Sequence, residues 1–259
     1  MLWRKTWWES RIMFWLCLAT LSGLVVLLMF NISSNTGWVE RLQRDAGGWN
    51  EETRQALPAL ATFQGRVWVL WFKLALGALL PFVAMCWATL APGCASPWTG
   101  VKLDKDRLFM LSLPVSRREI LLTQAGMSCG QLWLVAVGSS LLLPVISHWK
   151  GQWYSIRDAL IFASLSFLGV LVFYFTTLLM MVIFDNGIKS LLLSMLIFAI
   201  PFHPSRVVES YPRWHITRLI AGEDYFLHGQ IPWLALIVSL LVSASLLYIA
   251  VRVFERRDF

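Results

Sequence analysis

Charge is scarce in this sequence. Only 14% of its 259 residues are Asp, Glu, Lys or Arg, against about 25% in an ordinary soluble domain. Hydrophobic residues make up 58% and the mean hydropathy is +0.63, more apolar surface than a soluble domain of this length can bury. Carboxylates are missing from the interior of every long apolar run, so a proton relay of the usual intramembrane kind is not visible. No glycine-rich loop is followed by Lys-Ser or Lys-Thr, so any ATP must be bound by another chain. No serine in an apolar run has a His or Lys at suggestive spacing, which argues against an intramembrane protease. The four cysteines (Cys17, Cys86, Cys94 and Cys129) show no metal-ligand spacing and no disulfide frame. No internal repeat and no low-complexity tract occurs.

What is abundant is apolar sequence in stretches of about 20 residues, the length that crosses a bilayer. Six such spans are expected, at Ile12–Ile32, Val67–Ala91, Ile120–Ser147, Ala159–Phe184, Ser190–Phe202 and Trp233–Val251. The fifth is short and ends at Pro201. Pro81 is expected to kink the second. The fold class is therefore all-α, a single polytopic transmembrane domain over residues 1–259. The run from Ile12 is too long for a signal-peptide core and lacks a small-x-small cleavage site, so it reads as a retained signal anchor. Before it, Leu2–Glu9 mixes tryptophans with charges and suits either a short interfacial helix or an ordinary charged flank. Of the 15 tryptophans, Trp3, Trp7, Trp8, Trp68, Trp149, Trp153 and Trp233 sit where an interfacial aromatic belt would put them.

The formal net charge of +7 needs no nucleic-acid partner. Placing both termini in the cytoplasm makes the lysine and arginine density of the inner segments about twice that of the outer ones, as positive-inside insertion requires. The membrane is expected to be a bacterial-type inner (plasma) membrane, with lipid as the surrounding partner.

Lys73 is the one full charge well inside a span. It is either a functional site, a candidate lining of a polar path, or a side chain that snorkels to the nearby surface. Gln124 and Gln131, seven residues apart, share a face of the third span. They could line a path, though bonding to a neighbouring helix is the commoner explanation. The four histidines, His148, His203, His215 and His228, fall in outer segments. His203 and His215, with Glu209 nearby, could form a metal or proton site, but surface-loop histidines are the commoner outcome.

Residues 92–119 are the most informative. Leu103, Arg107/Leu108 and Leu111 recur at helical spacing, so Val101–Leu113 reads as a short amphipathic helix. Ser116 can then cap the third span, with Glu119 completing a capping box. Asp185-Asn186-Gly187 makes a tight turn. A helix held between two spans suits the transmission of force from a soluble partner; a solvated basic loop is the competing reading.

At this point the chain resembles the membrane subunit of a type-2 ABC transporter, the exporter class of ABC permease. Three features carry the resemblance. Ser112-Leu113-Pro114-Val115-Ser116-Arg117-Arg118-Glu119-Ile120 is similar to a Leu-Pro-Val-Ser-Arg stretch often found there, just after the coupling helix that docks on the ATPase. The tail Phe254-Glu255-Arg256-Arg257-Asp258-Phe259 resembles the common ending of these subunits. The order of parts also matches: an interfacial helix, six spans, and a semi-polar outer segment (203–232) that in the family often forms re-entrant helices.

The resemblance implies a half-size permease that is not itself an enzyme and binds no cofactor. ATP and Mg would sit on separate ABC ATPase subunits, and a second permease subunit, identical or related, would complete the path. It places ATPase contact on Leu103, Arg107, Leu108, Leu111, Arg117 and Arg118, and on Asp185 in a second inner turn. The outer segment 33–65 is longer than the family's minimal pattern. The competing function is a non-transporting assembly or sensor component whose outer segments bind a partner. A weaker one is a membrane enzyme using the outer histidines.

Overall fold

In the computed structural model of the chain, the structure describes residues 2–34, 62–89, 116–184, 186–199 and 215–256. This part is nearly all helical, with no strand among the described residues. Five helices are long and apolar enough to cross a membrane, which makes the architecture that of a multi-pass membrane protein.

Helix α1 (Leu2–Ser34) is a single rod of 33 residues, roughly 50 Å long at ~1.5 Å per residue. This corrects the separate interfacial helix expected at Leu2–Glu9. Nothing between Glu9 and Ile12 breaks a helix, and the Ser10 hydroxyl donates back to the carbonyl of Thr6 at 2.8 Å, inside the turn. The amphipathic start is thus continuous with the first span.

Helix α2 covers Phe63–Ala88 and starts where the Thr62 hydroxyl accepts from Gly65 N–H at 3.1 Å. Its stretch Trp68–Leu76 is π-helical, a wide winding that is rare and tends to mark functional sites. The winding returns to α at Gly77, whose N–H reaches the carbonyl of Phe72. A Cβ at Gly77 would lie 2.9 Å from that carbonyl oxygen, so glycine fits the junction. The span begins four residues earlier than expected, and the departure from α geometry precedes Pro81.

Helix α3 (Arg117–Ser140) begins with the expected capping box: Ser116 Oγ accepts from Glu119 N–H at 3.2 Å. It stops at Leu141, and α4 (Leu142–Trp149) continues the same crossing. The joint has a local cause. Pro144 lacks the N–H that would bond the Ser140 carbonyl. The single third span read from the sequence is therefore two jointed helices.

Helix α5 (Ile156–Phe184) is the centre of the bundle and the most buried long helix. It is apolar on all sides, as a helix surrounded by others must be, and touches α2, α3 and α4. Asn186 Oδ1 accepts from Lys189 N–H at 3.1 Å and starts α6 (Gly187–Ala199), which has 13 residues. It extends only ~20 Å, and its Phe198 stacks on Phe173 near the middle of α5 at 3.9 Å. The expected fifth span is thus a short apolar helix. Two six-residue helices follow, α7 (Ile216–Ala221) and α8 (Glu223–His228). The last is α9 (Trp233–Arg256), whose buried Ala235, Ser239 and Ser243 recur every fourth residue and let it pack close to α5.

Contacts set the directions. Gly126 lies against the Trp3 ring and Gly138 against Leu18, so α1 and α3 run parallel. One end of the bundle, the near end, holds the starts of α1 and α3 and the finish of α9. The far end holds the starts of α2, α5 and α9. There Arg66 and Lys150 donate to the carbonyls of Ile32 and Met29.

Candidate functional site

The short helices α7 and α8 form a cap sunk into the far half of the bundle. His215 begins α7 by accepting Thr217 N–H on Nδ1 at 3.3 Å. Gly222, at φ 62, turns the chain from α7 to α8. A Cβ there would meet the Phe162 ring at 2.6 Å, so both backbone sign and space require glycine. The carbonyls that end α7 would be orphans, and two spans supply their donors. Trp68 Nε1 donates to the Ala221 carbonyl at 2.7 Å. Ser166 Oγ donates to the Ile220 carbonyl at 2.6 Å. Ile220 fits a notch left by Gly169, where a Cβ would sit 2.5 Å from Ile220 Cγ1. Trp68 and Phe226 stack with centroids 4.3 Å apart, and Tyr225 packs edge-on against Phe162.

The cap carries its charges in pairs. Arg218 is only 4% exposed; its Nε and Nη2 both reach Asp224 Oδ1, at 2.8 and 2.7 Å. Lys73, on the π-helical stretch of α2, lies 3.8 Å from Glu223 and above the Trp68 ring at 5.4 Å. Tyr225 donates its hydroxyl to Asp158 Oδ1 at 2.9 Å. Burial pushes the Tyr154 phenol well above the usual range, and the charge of Asp158 adds to this. Tyr225 is raised by burial and by its bond to Asp158. Both phenols therefore stay protonated at neutral pH. Charges at this depth are tolerated when paired.

Of the residues singled out from the sequence, Lys73 has a partner on the cap. Gln124 and Gln131 are buried on the face of α3 turned into the bundle. Gln131 Nε2 donates to Ser10 Oγ at 2.8 Å, a helix-to-helix bond. Arg117 and Arg118 open α3. Leu103, Arg107, Leu108, Leu111, Asp185, His203 and Glu209 lie outside the described residues. His215 serves as a helix cap, and the described residues hold no cluster of three potential metal ligands.

The chain matches no family model, no curated protein and no solved structure.

Sequence reasoning passed over Arg218, Glu223, Asp224, Asp158 and Tyr225. A usable signal existed. A lysine inside a span demands a counter-charge, and Glu223-Asp224 directly follow the apolar Leu219-Ile220-Ala221 with a glycine between.

A line of contacts runs from the finish of α3 to the cap. Ser140, at the joint of α3, accepts from Trp71 Nε1 at 3.2 Å. Trp71 shares the π-helical stretch with Trp68 and Lys73, both of which hold the cap. The finish of α3 and the cap thus meet on the same stretch of α2.

Proposed function

We propose that this chain is the transmembrane subunit of an ATP-binding cassette exporter. The near end faces the cytoplasm and both termini lie there, in a bacterial-type inner membrane. Residues 101–113 receive separate ATPase subunits, on which ATP and Mg are bound. A second permease subunit completes the path. The short α6 with the re-entrant cap takes the place of a complete fifth span and gates the far, outer end.

The reading is supported first by the resemblance of residues 112–120 and 254–259 to exporter permeases. The structural observation that favours it is the line from α3 to the cap. The capping box satisfies the N–H groups of Ser116 and Glu119, so α3 is helical from its first turn. The line runs through a π-helical stretch, an irregular winding frequent at functional sites. Rigid-body displacement at one end with a change of packing at the other is alternating access. The aromatic, apolar spans suit an amphiphilic cargo.

A photo-crosslinking residue at position 107, in cells, tests the reading. It should capture a P-loop ATPase chain, and a mutant disrupted at Leu103 and Leu111 should not. Efficient crosslinking to other proteins with no ATPase among them would defeat the proposal.

A further inference from the structure

A cleft of about 320 Å³ opens at the near end, between the start of α3 and the finish of α9. Its rim carries Arg118 and Arg252, with Glu255 beside them, and its walls are Leu122, Leu247 and Val251. Arg118 is exposed and makes no hydrogen bond or ion pair among the described residues. Arg252 is held in place, its Nε donating to Tyr248 Oη at 3.1 Å and its Nη1 lying 3.8 Å from Glu255. Two guanidinium groups against one carboxylate leave the rim positive. The apolar wall is open to the surroundings of the bundle, since Leu122 is 37% exposed.

We infer that this cleft binds an anionic phospholipid of the leaflet at the near end. The phosphodiester would sit between Arg118 and Arg252, whose planar forks match phosphate oxygens. The first methylenes of an acyl chain would lie along Leu122, Leu247 and Val251. A soluble anion would use the rim and leave these walls wet; a zwitterionic lipid would bring a cation to a positive rim. The site joins the first turn of α3 to the last turns of α9, so a bound lipid would brace two spans that otherwise meet there across a gap. The inference needs only a membrane-embedded chain and does not rest on the exporter reading.

The full-length protein, extracted in mild detergent with whatever chains accompany it, is exchanged into micelles doped with phosphatidylglycerol or phosphatidylcholine. Native mass spectrometry then counts retained lipid. Phosphatidylglycerol should be retained preferentially. The R118Q/R252Q variant should lose that retention by on the order of tenfold, the loss expected for two charge-assisted phosphate contacts, while R157Q at the far end should keep it. If the double variant does not fold, R118Q alone, at an exposed position, should still lower retention. Chain-free glycerophosphoglycerol should compete poorly. Equal retention of both lipids, equal retention by wild type and R118Q, or full competition by the chain-free headgroup (a small-anion site) would each overturn the inference. So would a crosslink showing that residues 101–115 fill the cleft.

Discussion

Lys73 and Glu223 face each other at 3.8 Å, one on the π-helical stretch of α2 and the other on the first turn of α8. The pair ties the one charge inside a long apolar run to a helix 150 residues further along the chain. Their side chains are 27% and 14% exposed, so water reaches the contact. A solvent-accessible pair of this kind contributes about 1 kcal/mol at most.

Neutralising either partner should loosen the cap without unfolding the bundle. K73Q and E223Q should each cost about 1 kcal/mol, the upper range for solvent-accessible pairs. The charge-swapped double variant K73E/E223K should recover part of the loss. Thermal unfolding in detergent, read as a double-mutant cycle, checks this; strictly additive effects would mean that the two charges do not interact.

Asp224 should matter more than Glu223. It holds Arg218, which is nearly excluded from solvent. Removing its charge strands a buried guanidinium, at about 3–5 kcal/mol. D224N should therefore lower the unfolding midpoint more than E223Q, and the double variant R218M/D224L should restore much of it. The opposite order would show that the cap does not bury Arg218.

Gly169 and Gly222 separate space from backbone sign. G169A places its Cβ against Ile220 and should cost about 1–3 kcal/mol by overpacking; I220A should relieve it. G222A meets both the Phe162 ring and a positive φ, so I220A should not rescue it. Stability of the four variants in detergent distinguishes the two; rescue of both by I220A would contradict the seating of the cap.

Tyr154 and Tyr225 set an alkaline limit. Both phenols are raised in the folded state, chiefly by burial. A raised group contributes fully below its unfolded value of about 10, and the contribution is lost as pH rises through the higher folded value. The cap should thus stay intact to about pH 10 and release above it. Phenolate absorbance against pH, compared between wild type and Y154F/Y225F, follows this. A wild-type alkaline transition unchanged by both substitutions would contradict it.

Much of the fold is local and was therefore legible. Ser116 and Glu119 are three residues apart, and the box they announce is formed. The long spans announce themselves by composition. What needed the structure depends on distant partners. Ser10 extends α1 through the expected boundary and then meets Gln131. The π winding over Trp68–Leu76 carries no sequence signature of its own. Pro144 was visible, but the joint at Leu141 matters only because Ser140 meets Trp71 there. Lys73 was singled out as the charge inside a span, but its counter-charge Glu223 lies 150 residues away on a six-residue helix, next to one whose Ile220 seats in the notch left by Gly169.

The exporter proposal is tested most directly by ATP hydrolysis in material purified through a tag on this chain in mild detergent. A stoichiometric P-loop ATPase should co-purify, and its association should be lost when Leu103, Arg107 and Leu111 are disrupted together. A membrane-intact preparation that contains no ATPase and hydrolyses no ATP would contradict it.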